Sequence, residues 1–97
     1  MSAYLILDID VHDPVAYEAY KRDVPRVVAK HGGEYLARGG PAEVIEGSWV
    51  PRRVVLFRFP SRQAIREFTQ DPEYQPLKAI RLKASTANIV AVDGIDA

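Results

Sequence analysis

Hydrophobic and polar residues alternate at the start of the chain. Residues Tyr4 to Val11 read YLILDIDV, a run whose period of two is typical of a strand with one buried face. The apolar face is formed by Leu5, Leu7, Ile9 and Val11. The other face is mixed and is formed by Tyr4, Ile6, Asp8 and Asp10. The pattern predicts a strand that lies on a core.

The period then changes to that of a helix. Asp13-Pro14 supplies an N-cap and a proline at the first helical position, and Gly32-Gly33 ends the segment. An apolar stripe that would face a sheet recurs at three- and four-residue steps: Tyr17, Tyr20, Val24, Val27, Val28 and His31. Pro25 removes the hydrogen bond to the Lys21 carbonyl, so we expect a kink or break there, with the helix resuming after it.

Strand patterns follow this helix. Glu34 to Arg38 and Glu43 to Glu46 are either one interrupted strand or two short ones. They are separated by Gly39-Gly40-Pro41, which can bend or bulge an edge strand. Residues Arg53 to Phe59 read RVVLFRF, the strongest strand signal in the chain, since they are β-branched and aromatic on both faces. We expect this strand to be central.

A second helical region and a last strand complete the pattern. Ser61 caps a helix that carries Ala64, Ile65 and Phe68, and Asp71-Pro72 restarts a helical segment. The apolar or sheet-facing positions of that segment are Tyr74, Leu77, Ile80, Arg81 and Ala84. Thr86 to Val92 is the final strand, closed by Asp93-Gly94.

The order strand, helix, strand, strand, helix, strand predicts an α+β, ferredoxin-like βαββαβ sandwich with both helices on one face of an antiparallel sheet. The opposite face of the sheet is then bare. From the central strand it receives either Val55, Phe57 and Phe59, or Val54 and Leu56, and exposed apolar surface of this kind usually marks an interface. We therefore expect a homodimer that forms through the open sheet face.

Composition narrows the class of protein. The 97 residues are expected to form a single domain, 1–97, and 13 basic residues balance 13 acidic ones, so no overall field favours nucleic acid or an anionic membrane. The absence of cysteine excludes disulfides and thiolate chemistry. We expect no signal peptide, since the first residues lack a basic region and soon become acidic, and no membrane span, since no apolar run approaches the ~20 residues that cross a bilayer. We expect a cytoplasmic protein.

Several motifs in combination resemble the DUF1330 family over nearly the whole chain. They read DVHDPVAYEAYKRDVP, HGGEYLARGG, EVIEGSW, VVLFRFPS, QDPEYQPLK and STANIVAVDG. The resemblance implies a ferredoxin-like protomer that pairs into a dimeric α/β-barrel, in a superfamily with cofactor-free monooxygenases, haem-degrading proteins and lactone isomerases. The resemblance does not identify catalytic residues, so the function has to be argued from a site.

Arg38 is the first candidate for such a site. Its guanidinium lies beside Gly39-Gly40 and could hold a carboxylate or enolate oxygen in bidentate fashion. The alternative is that the arginine pairs with a surface acid. The two glycines do not fit a phosphate-binding loop, and a bulged strand that permits close backbone approach explains them better.

His31 and Asp8 are the candidate catalytic acids or bases. His31 is either a helix-terminal residue favoured by the helix dipole, or a general base that lines a pocket. Asp8, Asp10 and His12 would project from one face if the strand continued, but no further ligand cluster supports a divalent cation. We expect neither a metal nor a cofactor.

Five more residues are candidate substrate-binding groups. Glu46, Trp49 and Arg53 surround the loop before the central strand, where the tryptophan could wall a pocket or pack at the dimer seam. Tyr74 and Arg81 lie on one side of the second helical segment and could reach the same cavity or lock helix to sheet.

Two functional hypotheses follow. The first is a small-molecule enzyme, of the cofactor-free oxygenase or isomerase type, that acts on a small organic acid or aromatic metabolite. Arg38 would hold an anionic oxygen, His31 or Asp8 would move the proton, and Trp49 and Tyr74 would wall the substrate. The second is a non-catalytic dimeric ligand-binding or structural module in which the same polar residues join protomers and satisfy buried groups.

Overall fold

A computed structural model describes residues 2–96 and contains four strands and three helices. In chain order these are β1 (Ala3–Val11), α1 (Pro14–Lys30), β2 (Glu34–Arg38), β3 (Val54–Phe59), α2 (Arg62–Gln70), α3 (Gln75–Ala84) and β4 (Ser85–Asp93). The predicted α+β class and βαββαβ order are confirmed, with the second helical region divided into α2 and α3. Asp71 separates these two helices.

The four strands form one antiparallel sheet in the order β2-β3-β1-β4. Leu7 of β1 stands opposite Val55 of β3 on one side and Ile89 of β4 on the other. The expectation that β3 is central is confirmed, since β3 and β1 are the two inner strands.

The two faces of the sheet are now distinguished. Val55, Phe57 and Phe59 are buried against the helices together with Leu5 and Leu7. Neighbours in the alternation point the other way, and Val54 and Leu56 therefore belong to the open face. From β1 and β4 that face also receives Tyr4, Ile6, Asp8, Asn88, Val90 and Val92.

The boundaries of α1 follow the sequence signals. The Asp13 carboxylate accepts a hydrogen bond from the Ala16 amide at 3.1 Å, and Gly32 has a positive φ of 77° in the turn that ends the helix. The predicted break at Pro25 does not occur, because α1 continues from Pro14 to Lys30. The stripe of apolar contacts on both sides of the proline holds the helix together.

The segment between β2 and β3 differs from the prediction. Residues 43–46 are not a strand but part of the loop that joins β2 to β3, since the segment pairs with neither neighbour in the sheet. The bulge of β2 lies between Tyr35 and Ala37, ahead of the glycines. Gly39 adopts φ 73° and a Cβ there would lie 2.2 Å from the Arg53 guanidinium. The glycine is thus needed for the approach of an arginine side chain.

The core lies between the sheet and the helices. Its largest fully buried side chains are Phe59, Ile9, Val27 and Val28. None of the helices within residues 2–96 has the length and apolar character needed to cross a bilayer.

Candidate functional site

A cavity of about 240 Å³ opens between the sheet and the helices. We call it the central cavity. Its apolar walls come from both layers and consist of Leu5, Leu7, Phe57, Phe68 and Ile89. Its polar lining comes from the helices and the loop before α3, and consists of Tyr20, Thr69, Tyr74, Lys78 and Arg81. The arrangement is that of a small-molecule pocket, apolar with a few polar groups.

A smaller side cavity of about 20 Å³ adjoins it and shares Leu7, Tyr20 and Phe57. Its polar lining is formed by Tyr17, Lys21, Tyr35, Arg38 and Arg53. This volume holds about one water molecule. A ligand larger than water therefore has to occupy the central cavity.

Two tyrosine hydroxyls meet inside the helical layer. The Tyr20 and Tyr74 oxygens lie 3.1 Å apart and are buried, and Tyr17 packs beside Tyr20 with ring centroids 5.3 Å apart. Burial raises the pKa of Tyr20 far above its usual value, and the neighbouring Tyr74 hydroxyl adds to this. Burial likewise raises the pKa of Tyr17. At neutral pH the hydroxyls of Tyr17 and Tyr20 therefore remain protonated and can act as hydrogen-bond donors.

Arg81 is a buried arginine on α3, 6 % exposed. Its Nε has no hydrogen-bond partner, and neither does the Nε of Arg53. Across residues 2–96, no Asp or Glu forms an ion pair with Arg81. A guanidinium in this situation is unusual, since buried charges are normally paired.

Arg38 lines the side cavity. One of its guanidinium nitrogens, Nη2, donates to the Lys21 carbonyl at 2.6 Å, and the guanidinium carbon lies 4.5 Å from the centre of the Tyr35 ring. The residue thus joins β2 to α1. Its predicted role as an anion-binding group stays a prediction.

His31 lies at the far end of α1 and lines neither cavity. Its Nε2 is 2.7 Å from the buried Asp71 carboxylate, which also pairs with Lys30 at 2.8 Å. The Lys30 ammonium, the Glu73 amide and the His31 ring together hold the pKa of Asp71 well below its usual value. This cluster ties α1 to the turn between α2 and α3.

Asp8 and Trp49 come together on the open face of the sheet. The Trp49 indole donates to Asp8 Oδ2 at 2.9 Å, and the Arg52 amide donates to Oδ1 at 2.8 Å. These bonds, the indole first, lower the pKa of Asp8. A surface hollow of about 310 Å³ lies beside them. Asp8 is therefore separated by the sheet from Arg38 and from the central cavity.

The remaining candidates are dispersed. Glu46 is exposed in the loop between β2 and β3, and His12 contacts the Thr86 hydroxyl at 2.6 Å. Within residues 2–96, no group of three His, Asp or Glu side chains is arranged to hold a metal ion.

The structure therefore brings Tyr74 and Arg81 together at the central cavity and places Arg38 and Arg53 at the side cavity. Sequence reasoning assigned Tyr20 to the core stripe of α1 and missed its hydroxyl as a cavity group. The sequence did contain one signal, which is the presence of tyrosine at a core position. Phenylalanine would fill the same space without a polar atom. Asp71 was also missed as the partner of His31.

Comparison with known proteins identifies the family and the fold. The profile of the domain of unknown function DUF1330 matches residues 2–95. No curated protein is significantly similar to the chain. A protein of unknown function from Rhodopseudomonas palustris has 20% identity and a TM-score of 0.78, with 97% of this chain and 82% of that chain covered.

Two further solved structures share the fold. SnoaB, a cofactor-independent oxygenase from Streptomyces nogalater, has 14% identity and a TM-score of 0.67, over 96% of this chain and 92% of that one. A dimeric protein of unknown function with a ferredoxin-like fold from Bacteroides fragilis has 14% identity and a TM-score of 0.62, over 96% of both chains. At these identities the likeness establishes the ferredoxin-like fold.

Proposed function

This chain belongs to the DUF1330 family, and from that premise we propose that it is a small-molecule protein that takes an aromatic metabolite or small organic acid into its central cavity. The activity we propose is that of a cofactor-free enzyme, of the oxygenase or isomerase type. SnoaB, a cofactor-independent oxygenase, has the same fold, which supports the class of activity by analogy only.

The observation that carries the proposal is the pairing of Tyr20 with Tyr74 at the wall of the central cavity. Their hydroxyls share one hydrogen bond at 3.1 Å, which uses only one of the two phenolic hydrogens. The other hydrogen is available to an oxygen atom of a ligand. Burial keeps both the site and this donor away from bulk water. A hydrogen bond to a developing negative charge is stronger in such a place than in water.

The chemistry favoured by this lining is the stabilisation of an anion. The phenols are donors, because burial holds the pKa of Tyr20 high, and the central cavity is lined by no Asp, Glu or His among the described residues. A substrate that is itself acidic, such as an acidic enol or phenol, can release its proton to bulk water and enter the cavity as an anion, so the lining need not supply a base. Donors placed around the anionic oxygen would then favour either proton migration or reaction with oxygen.

We also propose a homodimer that forms through the open face of the sheet. That face presents Val90 and Val92, which are 58% and 49% exposed, beside the 62% exposed Trp49. Exposed apolar side chains gathered on one face favour association. The Bacteroides fragilis protein of similar fold is described as dimeric, which supports the same arrangement here.

The alternative is a non-catalytic dimeric module that binds a ligand or serves a structural role. The absence of an acid or base from the described lining of the central cavity favours binding without catalysis. The two functions differ in one observable, since an enzyme consumes the ligand that shifts its melting temperature, whereas a binding module leaves it unchanged.

A thermal-shift screen of small aromatic acids, phenols and aliphatic acids tests the proposal. A ligand that binds only the folded state raises the melting temperature, with a stabilisation of ~2.7 kcal/mol at a hundred times the dissociation constant. We expect at least one aromatic compound to do so at millimolar concentration, and Tyr74→Phe to reduce the shift. Tyr4→Phe, on the open face of the sheet, is the matched control and should leave it unchanged. A screen with no shift at all would contradict the proposal.

A further inference from the structure

The side chains that line the cavities carry an excess of positive charge, although the whole chain has equal numbers of basic and acidic residues. Five cationic side chains line the central and side cavities: Lys21, Arg38, Arg53, Lys78 and Arg81. Within the described chain, neither lining includes Asp or Glu. The low-dielectric walls focus the electric field of these charges, so the potential inside the cavities is positive.

Of the four cations other than Arg81, three have a partner or are partly exposed. Lys21 pairs with Glu18 at 3.2 Å, and Arg38 donates to a backbone carbonyl. The Nε of Arg53, like that of Arg81, has no partner, but Arg53 lines the one-water side cavity and a surface hollow that also contains Glu18. Lys78 is only partly buried. Arg81 differs from all of them.

Arg81 combines burial, an unpartnered donor atom and a side chain that lines an open cavity. The side chain is 6 % exposed, its Nε has no partner, and it lines a cavity of about 240 Å³. An arginine kept for structure would be expected to pair with a carboxylate, since an unpaired buried charge lowers stability. The cost of burying this guanidinium is offset if a ligand supplies the missing anion.

We infer that Arg81 is the anchor for the carboxylate of a single-ring aromatic acid or a short aliphatic acid bound in the central cavity. The inference rests on the proposed function and narrows the ligand from an aromatic metabolite or small organic acid to a carboxylate. A guanidinium presents two parallel N–H groups that match the two oxygens of a carboxylate. The hydroxyl pair of Tyr20 and Tyr74 supplies a further donor, and Phe57 and Phe68 contact the ring.

The size of the cavity sets the size of the acid. A cavity of about 150 Å³ accepts benzene, and the central cavity is larger, at about 240 Å³. One ring with a carboxylate fits, whereas drug-sized ligands occupy pockets of about 300 to 1,000 Å³. Nucleotides and multi-ring compounds are thereby disfavoured.

The test compares benzoate with benzamide, which has the same shape and no charge, by NMR titration of the ¹⁵N-labelled full chain. We expect benzoate to bind at least about tenfold more tightly, because hydrogen bonds to charged groups are the strong ones. We also expect benzoate to shift the Arg81 Nε–H resonance. Arg81→Met, which keeps an apolar stem, should abolish the preference for benzoate. Arg66→Gln, at an exposed arginine of α2, is the control and should retain it.

The melting temperature of Arg81→Met without ligand gives a second readout. We expect it to equal or exceed that of the wild type, since the substitution removes an unpaired buried charge; a structural role for Arg81 predicts a clear decrease. If the variant does not fold, that role is supported and the inference is overturned.

The remaining outcomes separate the two proposals. Equal affinity for benzoate and benzamide, or unchanged benzoate binding by Arg81→Met, overturns the assignment of Arg81 but leaves a ligand-binding cavity in place. Failure of both compounds to perturb any resonance of the cavity at millimolar concentration overturns the assignment together with the proposed function.

Discussion

The Arg38 guanidinium donates to the Lys21 carbonyl at 2.6 Å, and this carbonyl is the one that Pro25 leaves without its helical donor. A proline inside a helix has no N–H for the carbonyl four residues before it. An arginine from the neighbouring strand β2 supplies the missing hydrogen bond from outside. The helix therefore continues through Pro25 with its backbone acceptor satisfied.

Removal of this arginine should destabilise the protein in a way that depends on the proline. Arg38→Met is expected to lower the free energy of unfolding by about 0.5–1.5 kcal/mol, the usual contribution of one hydrogen bond. In a Pro25→Ala background the helix provides its own donor, so the same substitution should cost less. Urea denaturation of the four proteins in a double-mutant cycle measures the difference. Additive effects would contradict the link between Arg38 and the free carbonyl.

Gly39 and Gly40 form a matched pair for a second prediction. Gly39→Ala should lower the free energy of unfolding by about 1–2 kcal/mol, since its positive φ disfavours a side chain and the new Cβ would meet the Arg53 guanidinium. Gly40→Ala should cost nothing, because no atom lies within 4 Å of its added Cβ. Chemical denaturation of both variants provides the comparison. Equal losses would contradict both the backbone cost at Gly39 and the effect of its contact with Arg53.

The pH dependence of stability should report the cluster around Asp71. Its pKa is lowered in the folded state, chiefly by Lys30. The carboxylate therefore contributes stability above its unfolded pKa of about 3.9, and this contribution is lost as the pH falls toward the lower folded value. Asp71→Asn should reduce the melting temperature at neutral pH, and the gap from the wild type should narrow below about pH 4.

Thermal melts between about pH 3 and pH 7 measure that gap. Glu43→Gln, in the exposed loop between β2 and β3, serves as the control and should follow the wild type throughout. A gap that stays constant as the solution is acidified would contradict the role of the Asp71 charge.

The proposed dimer can be tested with a pair of identical substitutions. Val90 lies on the open face of the sheet and Val15 on α1, and both are exposed. A lysine at position 90 would bring a charge into the interface, whereas one at position 15 would remain in water. We expect light scattering to give a dimer mass for the wild type and Val15→Lys, and a monomer mass for Val90→Lys. A monomeric wild type at micromolar concentration would refute the interface.

The sequence predicted what short-range signals encode. Asp13, Pro14, Gly32 and Ser61 fix the helix ends by local hydrogen bonding and backbone preference, and the alternation in β1 identifies its buried side. In β3, which is apolar on both faces, the structure was needed to show that Val55, Phe57 and Phe59 are the buried side chains. The break considered at Pro25 does not occur. The local rule that predicts one has no knowledge of a donor from another element. The satisfied carbonyl is a tertiary contact with Arg38.

The candidate site was harder to predict for a similar reason. Arg81 and Tyr74 share a helical face, and this proximity follows from their spacing. That Tyr20 meets Tyr74 across 54 positions of sequence, or that His31 pairs with Asp71, depends on the packing of α1 against α3. The sheet also separates Asp8 from Arg38, a relationship that only the complete topology determines.

Trp49 is the one tryptophan of the chain, and it lies on the open face, whereas the central cavity is lined by tyrosines. The two surfaces therefore have different intrinsic chromophores. Indole emission would respond to the proposed association of subunits and to the protonation of Asp8, which accepts its hydrogen bond. Phenol absorption, in contrast, will respond to what enters between helices and sheet. Unlabelled protein can thus distinguish assembly from occupancy in a single optical experiment.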